Sequence, residues 1–314
     1  MLGKVIKSTG KIYSIETQDG SFITAQIKGK YRIEGLSTTN PLAVGDNVLL
    51  RRNENGEYTI DKILERKNYL VRKSTNLSKQ MQILASNVDH IYVVVTLKKP
   101  VTHLNFLNRI LVAAESYRIA SSILFNKIDL YDDLDNSKVD EWISLYTDIG
   151  YSCHKISTND VGSIQFLKAE IRNKQVLLVG NSGVGKSSLV QALDASLEIK
   201  IGEVSKLHEQ GKHTTTFAEM HKLTSGGAII DSPGIRAFGL IDLNKEHYNH
   251  YFPEMRKRMA KCKFHNCLHL NEPQCAVKTA LSDGTIQESR YDTYLQLMLE
   301  DNNDPYRRNE FSTL

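Results

Sequence analysis

A chain of 314 residues is longer than one simple core needs, so two or three domains are expected. With 40% apolar and 24% charged residues the composition is that of a soluble protein, and no apolar run approaches the ~20 residues of a membrane helix. The N-terminus MLGKVIKSTGKIYSIET alternates and carries lysines where a secretory signal would be continuously apolar; secreted and membrane-spanning classes drop out, and the cytoplasm is expected, with no membrane partner.

The net charge of +4 conceals a gradient. Residues 1–79 hold fourteen Lys/Arg against eight Asp/Glu, whereas residues 281–314 hold three against seven. The basic end suits a polyanion partner, or simply a solvated face. Residues 3–66 read as short strands: Ile23, Ala25 and Ile27 alternate with Phe22, Thr24 and Gln26, and NENG (53–56) is a turn between VLLRR and EYTIDKIL. That density of strands predicts a small barrel of the OB or SH3-like kind. Residues 28–46 form a long, basic, Gly/Pro/Thr-punctuated loop, either a connector or a nucleic-acid contact. Residues 66–87 read as a polar, basic connector.

Beyond it, strands alternate with helices. HIYVVVTL (90–97) is a buried-strand run, FLNRILVAAESY (106–117) has helical spacing, and SSILFNKIDL is a strand that ends in a loop. VDEWISLYTDIG predicts a helix closed by Gly150, and YSCHKIST a further strand. QVLLVG, a glycine loop and SSLVQALDASL give strand, loop and helix, with Leu189, Leu193 and Leu197 on one face. GGAIIDSPG ends another strand. This is the pattern of a parallel α/β sheet. From 244 onward the chain turns helical and basic, crosses a cysteine cluster, and ends in a helix around SRYDTYLQLMLED.

The glycine loop GNSGVGKS satisfies G-x-x-x-x-G-K-[ST] in strand–loop–helix context, the layout of a phosphate cradle. Gly180, Asn181, Ser182, Gly183, Val184, Gly185, Lys186, Ser187 and Ser188 would surround the phosphates: loop N–H groups and a helix start face the oxygens, and Lys186 reaches the β- and γ-phosphates. The Ser187 hydroxyl would ligate Mg²⁺. Asp231 in DSPG ends a strand, where a carboxylate holds that ion through water, and the Gly234 N–H would meet the γ-phosphate. Thr215 in GKHTTT (211–216) is the expected third Mg²⁺ contact, although a plain threonine-rich loop would read alike. NKID supplies a base reader: Asp129 accepts from guanine N1–H and the exocyclic amine, Asn126 braces the site, and Lys127 lies along the ring. In HKIST, Ser157 and its backbone neighbours would support the guanine O6.

The order is unusual, because the base reader precedes the phosphate loop. Nucleotide loops of a doubly wound sheet all leave the carboxyl ends of strands, so a chain cut after the D-x-x-G loop and rejoined elsewhere keeps every loop in place. VGDNV, RKNYLVRKS, NKID, GNSGVGKSSL, GKHTTT and DSPGIRAFGL resemble the circularly permuted GTPases of the RsgA/YjeQ type over nearly the whole chain. The resemblance implies an OB-fold RNA-binding domain at 1–68, a linker at 69–84, a permuted P-loop GTPase domain at 85–243 and a zinc-binding domain with a C-terminal helix at 244–314. It further implies binding of GTP and GDP, and of the small (30S) ribosomal subunit and its rRNA late in assembly. Nothing demands more than a monomer. Thr158 stands where that family often has alanine.

Cys262, Cys267, His269 and Cys275 form C-x4-C-x-H-x5-C, a closed set of three thiolates and an imidazole that suits one structural Zn²⁺; free core thiols are the plainer alternative. Arg256, Lys257, Arg258, Lys261 and Lys263 beside it suit either RNA phosphates or solvent. Cys153, apart in a strand, reads as a small buried hydrophobe. Ile235 follows DSPG where many GTPases place a water-orienting glutamine, so slow intrinsic hydrolysis is expected, with His213 as the substitute that positions water and Lys186 as the other catalytic group. The competing reading is an RNA-binding module that senses GTP with negligible turnover.

Overall fold

The computed structural model describes residues 1–9, 12–27, 41–73, 81–197, 218–231 and 243–300. Five strands open the chain: β1 (Leu2–Ser8), β2 (Ile12–Thr17), β3 (Phe22–Ile27), β4 (Asn47–Arg52) and β5 (Tyr58–Ile63). They pair in the closed order β1-β2-β3-β5-β4-β1, antiparallel except for β3 with β5. Alternate residues point inward, so Val5, Tyr13, Ile15, Ala25, Val48, Leu50 and Ile60 fill the barrel.

Within the stretch 69–84, expected to be a linker, the described residues are instead paired: β6 (Tyr69–Lys73) runs antiparallel to β7 (Met81–Ser86). Its apolar residues explain the difference, since Leu70, Val71, Ile83, Leu84 and Ala85 are all buried. The VGD turn of the barrel locks onto this hairpin. Ser86 N donates to Val44 O at 3.0 Å and Asn87 Nδ2 to Gly45 O at 2.9 Å. A Cβ on Gly45 would sit 2.1 Å from Ser86 O, so only glycine fits the approach. The Asp46 carboxylate, fully buried, accepts from Arg66 Nε and Nη2, each at 2.6 Å.

Next come β8 (His90–Val95), α1 (Leu104–Ser116), β9 (Ala120–Phe125), α2 (Asp133–Ile149), β10 (Ser152–Lys155), α3 (Val161–Ile171), β11 (Gln175–Val179), α4 (Lys186–Leu193), β12 (Glu219–Lys222) and β13 (Ala228–Asp231). Strands β10, β9, β8, β11 and β13 form a parallel sheet, with β12 antiparallel beside β13. Helices α1 and α2 cover one face through Ile110, Leu111, Trp142 and Tyr146, and α3 and α4 the other through Leu167, Leu189 and Leu193. Both faces are covered, which is why the runs Ile91–Val95 and Val176–Val179 are apolar on both sides. Helix α4 ends at Leu193 rather than running on to Leu197, because the Asp194 carboxylate turns to accept from Ser196 N, Ser196 Oγ and Thr224 N.

The barrel sheet and the α/β sheet are continuous. Lys7 pairs with Glu219, Ser8 N donates to Ala218 O at 3.3 Å, and Lys7–Glu219 and Lys222–Glu16 ion pairs flank the joint.

The C-terminal region has a 3-10 segment (Lys245–Tyr251), α5 (Pro253–Arg256), α6 (Ala276–Ser282) and α7 (Glu288–Leu299). Its core of Tyr248, Phe252, Met255, Val277, Ile286 and Tyr294 takes in Val112 of α1. A buried polar knot fastens it there. Arg290, wholly buried beneath the Phe252 ring, donates to both Glu254 oxygens at 2.6 and 3.2 Å and to Asn108 Oδ1 at 3.3 Å. Tyr146 OH completes the knot by donating to Asn108 Oδ1 at 2.8 Å. Among the described residues no helix is long and apolar enough to cross a membrane.

Candidate functional site

The glycine loop leaves β11 between the ends of β8 and β13 and enters α4 at Lys186. Gly185 has φ +99, and a Cβ there would lie 2.5 Å from Asn126 Nδ2. That contact is the junction of the two nucleotide motifs. Asn126, 1% exposed, donates its backbone N to Val95 O at 2.9 Å and its side-chain Nδ2 to Val184 O at 2.8 Å. Its Oδ1 is buried without a hydrogen-bond partner among the described residues. Lys127, in the left-handed region at φ 63, arches over the loop and donates Nζ to Gly183 O at 2.7 Å and Lys99 O at 2.6 Å. The NKID segment and the glycine loop, 50-odd residues apart, are thus tied by side chains of the first to carbonyls of the second.

Lys186 Nζ lies 2.7 Å from both Gly180 O and Asn181 O, held at the loop mouth. Ser187 and Ser188 stand in the first turn of α4, and Ser182 and Gly183 are exposed at the tip. Asp231 ends β13 beside β11. Desolvation by surrounding protein raises its carboxyl, against the pull of His221 and Lys186, although the side chain still meets solvent. A divalent cation there would reverse that shift.

At the other end of the site, Asp129 is clamped. Ser157 Oγ donates to its Oδ1 at 2.6 Å, and Asn159 Nδ2 to its Oδ2 at 2.8 Å. The Ser157 hydroxyl, then Asn159, hold the carboxyl below its usual range despite some desolvation, so it is an acceptor at neutral pH. The loops meet because Ile156 N donates to Phe125 O at 2.8 Å and Asp160 caps α3 through Gly162 N and Ser163 N. Ser157 was expected to serve the base directly; its hydroxyl is spent on Asp129. His213, Thr215 and Gly234 lie outside the described residues.

In the C-terminal region Cys262, Cys267, His269 and Cys275 converge, with all four ligand atoms within 4.8 Å of one another. His269 Nδ1 lies 3.3 Å from Cys275 Sγ and 3.7 Å from Cys262 Sγ, spacings that suit tetrahedral ligation. Burial pushes the Cys267 thiol up to about 12, reinforced by Cys275 and Cys262; a bound cation supplies the charge that lets thiolates share this space. The donor set therefore fits a structural metal ion. His269 Nε2 lies 3.2 Å from Asn249 Nδ2, which also donates to Cys267 O at 3.3 Å. An imidazole that ligated a cation through Nδ1 would carry its proton on Nε2, and a turned Asn249 amide would offer its buried Oδ1, unpartnered among the described residues, to accept it. Glu272 folds the ligand loop by accepting from Leu268 N, Leu270 N and Asn271 N. Three of the five basic residues nearby hydrogen-bond within the protein, Arg256 with Glu115 and His250 O, Lys257 with Ile149 O, and Arg258 with Glu254 O, and Lys263 Nζ lies 5.6 Å from the Phe264 ring centroid.

Comparison with known families matches residues 63–241 to the RsgA GTPase and residues 2–60 to the RsgA N-terminal domain. The small ribosomal subunit biogenesis GTPase RsgA of Bacteroides fragilis is 46% identical over 98% of this chain and 99% of its own length. The chain belongs to the RsgA GTPase family. A relative of the same description from Christiangramia forsetii is 45% identical over 99% of both chains. Among solved structures, YjeQ from Thermotoga maritima superposes with TM-score 0.76 at 32% identity, covering 95% of this chain and 96% of that one. YloQ, described as a circularly permuted GTPase, gives TM-score 0.72 at 29% identity, over 98% and 96%. The RsgA family's inverted motif order is thus accommodated by a single sheet.

Some residues of this RsgA-family site escaped the sequence reading. Tyr131 OH accepts from Leu97 N at 2.7 Å and donates to Asn126 O at 3.0 Å, pinning the NKID loop to the end of β8. Asn159 and Asn249 were missed too. Only proximity to a motif marks Tyr131 and Asn159 in the sequence, and nothing marks Asn249, eighteen residues before Cys267.

Proposed function

We propose that this chain hydrolyses GTP in the late maturation of the small (30S) ribosomal subunit. The observation that carries the reading is the Asn126–Val184 junction, which assembles guanine-reading and phosphate-holding loops into one site in a member of the RsgA family. Gly180 to Ser188 cradle the phosphates by loop N–H groups and the start of α4, and Lys186 meets the β- and γ-oxygens. Asn126, Lys127 and Asp129 read the guanine, with Ser157 behind Asp129. Ser187, Thr215 and Asp231 are the groups that would hold Mg²⁺, which neutralises phosphate charge when bound. Gly234 N–H senses the γ-phosphate. His213 orients the attacking water in place of the glutamine that Ile235 replaces, so turnover is slow until the ribosomal subunit supplies further order.

Cys262, Cys267, His269 and Cys275 would hold Zn²⁺ in a structural role, since three sulfurs and one nitrogen would complete its tetrahedral shell. The functional divisions are 1–68, 85–243 and 244–314, with the hairpin between the first two as a joint. The barrel and the metal-binding region contact rRNA, and the protein acts as a cytoplasmic monomer that cycles between GTP and GDP. Phosphate release from GTP, measured with and without purified small subunits, tests the reading: slow release alone and a marked rise with subunits support it. Negligible release in both, with subunit affinity that still follows GTP, would favour a nucleotide-sensing RNA binder. His213→Ala should cut the stimulated rate while leaving GTP affinity intact.

A further inference from the structure

Guanine presents two adjacent donors, N1–H and the 2-amino group, so its reader must offer two acceptors held at a fixed spacing and tilt. Asp129 is an exposed side chain on a short 3-10 turn (Ile128–Leu130), a place where a free carboxylate would rotate about its own bonds. Here it does not. Ser157, 2% exposed, fixes Oδ1, and Asn159 Nδ2 fixes Oδ2. The two donors are themselves linked, because Asn159 N donates to Ser157 Oγ at 3.0 Å and directs that hydroxyl's own proton toward Asp129.

The clamp has a rigid base. Asp160 N donates to Ser157 O at 3.2 Å, closing a tight turn with Asn159 inside it. Asp160 then caps α3 and accepts from Ser163 Oγ at 2.5 Å, and Ser163 Oγ in turn accepts from Ser157 N at 3.4 Å. Each carboxylate oxygen has two lone-pair directions, so one protein bond on each oxygen leaves one on each for the base. Serine alone would fix one oxygen and leave the tilt of the other to solvent.

We propose that Asn159 is a specificity-determining positioning residue, which sets the plane of the Asp129 carboxylate so that both oxygens meet guanine at once. The inference rests on the guanine-nucleotide reading above. It distinguishes two ligands that differ by one group: GDP spans both oxygens, whereas inosine diphosphate lacks the 2-amino donor and engages one.

The test uses the full chain with Mg²⁺ and titrates GDP, inosine diphosphate and ADP into the unsubstituted protein, Asn159→Ala and Asn159→Asp. Asn159→Ala should weaken GDP by about three- to ten-fold, the loss of one hydrogen bond's worth of order, and change inosine diphosphate by under about two-fold. Asn159→Asp, which sets a second carboxylate against Asp129, should lower the GDP-to-inosine-diphosphate ratio further. An unchanged ratio in both variants, equal losses for both ligands, or tighter GDP binding by Asn159→Ala would overturn the inference while leaving guanine binding intact. Absence of any GDP-over-ADP preference in the unsubstituted chain would remove the guanine reading itself, and the inference with it.

Discussion

Replacing Gly185 with alanine probes the joint on which the site depends. The backbone there has φ +99, outside the range a Cβ tolerates, a strain of about 1–2 kcal/mol. The new methyl would also lie 2.5 Å from Asn126 Nδ2, so Asn126 must move and its 2.8 Å bond to Val184 O is lost. Both partners are buried, and leaving such groups unpaired costs about 1–3 kcal/mol. The free variant escapes the strain by letting the loop relax, so nucleotide binding must restore the loop at a cost of about 2–5 kcal/mol. That weakens GDP affinity by roughly 30-fold to several thousand-fold. Fluorescent-GDP titration measures it, with thermal unfolding as a control for gross damage. Asn126→Ala removes the same hydrogen bond, so the double variant should lose less than the sum of the two single losses. A change under three-fold for Gly185→Ala, or strict additivity with Asn126→Ala, would refute the idea that the two motifs are joined at this contact.

Acid sensitivity should arise far from the phosphates, at His90, whose pKa burial lowers to about 4 and whose Nε2 lies 2.8 Å from Ser122 Oγ. The unfolded chain therefore takes up this proton first: the contribution is full above about pH 6.5, falls as pH drops toward 4, and amounts to about 1–3 kcal/mol after allowance for the ring's partial solvent access. The urea midpoint should fall less between pH 7.5 and 4.5 in His90→Gln than in the unsubstituted chain, and identical pH slopes would contradict the assignment. Glu254→Ala strips the buried Arg290 of its bidentate partner and should cost about 3–5 kcal/mol by chemical denaturation. Arg290→Met with Glu254→Met should recover much of that loss; a single-variant cost under 1 kcal/mol would show that the knot does not hold the C-terminal region to α1.

The sequence disclosed what is local. Alternation in 22–27, the apolar run at 91–95 and the strand–glycine–helix run at 175–193 are each decided within a few residues, and the structure has a barrel, parallel strands and a loop into a helix at those places. Three features were hidden because they depend on distant partners. The 69–84 stretch looked like a connector because its polar residues mask the buried Leu70, Val71 and Leu84. Strand β12, Glu-Met-His-Lys, has one buried residue and becomes a strand through β13 and β1 together. The Arg290 knot joins residues as many as 182 apart, and no periodicity marks a buried arginine. In the site, motif spacing named Asn126, Asp129 and Ser157, but not that Ser157 serves Asp129 or that Asn159 completes the clamp. Hydrogen-bond partners follow from the meeting of loops, which spacing does not encode.

The central claim is that a base reader placed ahead of the phosphate loop in the chain serves the same catalytic site. Asp129→Asn tests it most directly, because an amide can accept from N1–H and donate to the 2-carbonyl of xanthine, whereas it meets the guanine 2-amino group with a donor. Subunit-stimulated phosphate release should move from GTP to xanthosine triphosphate in this variant, with total capacity retained. Undiminished GTP hydrolysis with no gain on xanthosine triphosphate would contradict the account.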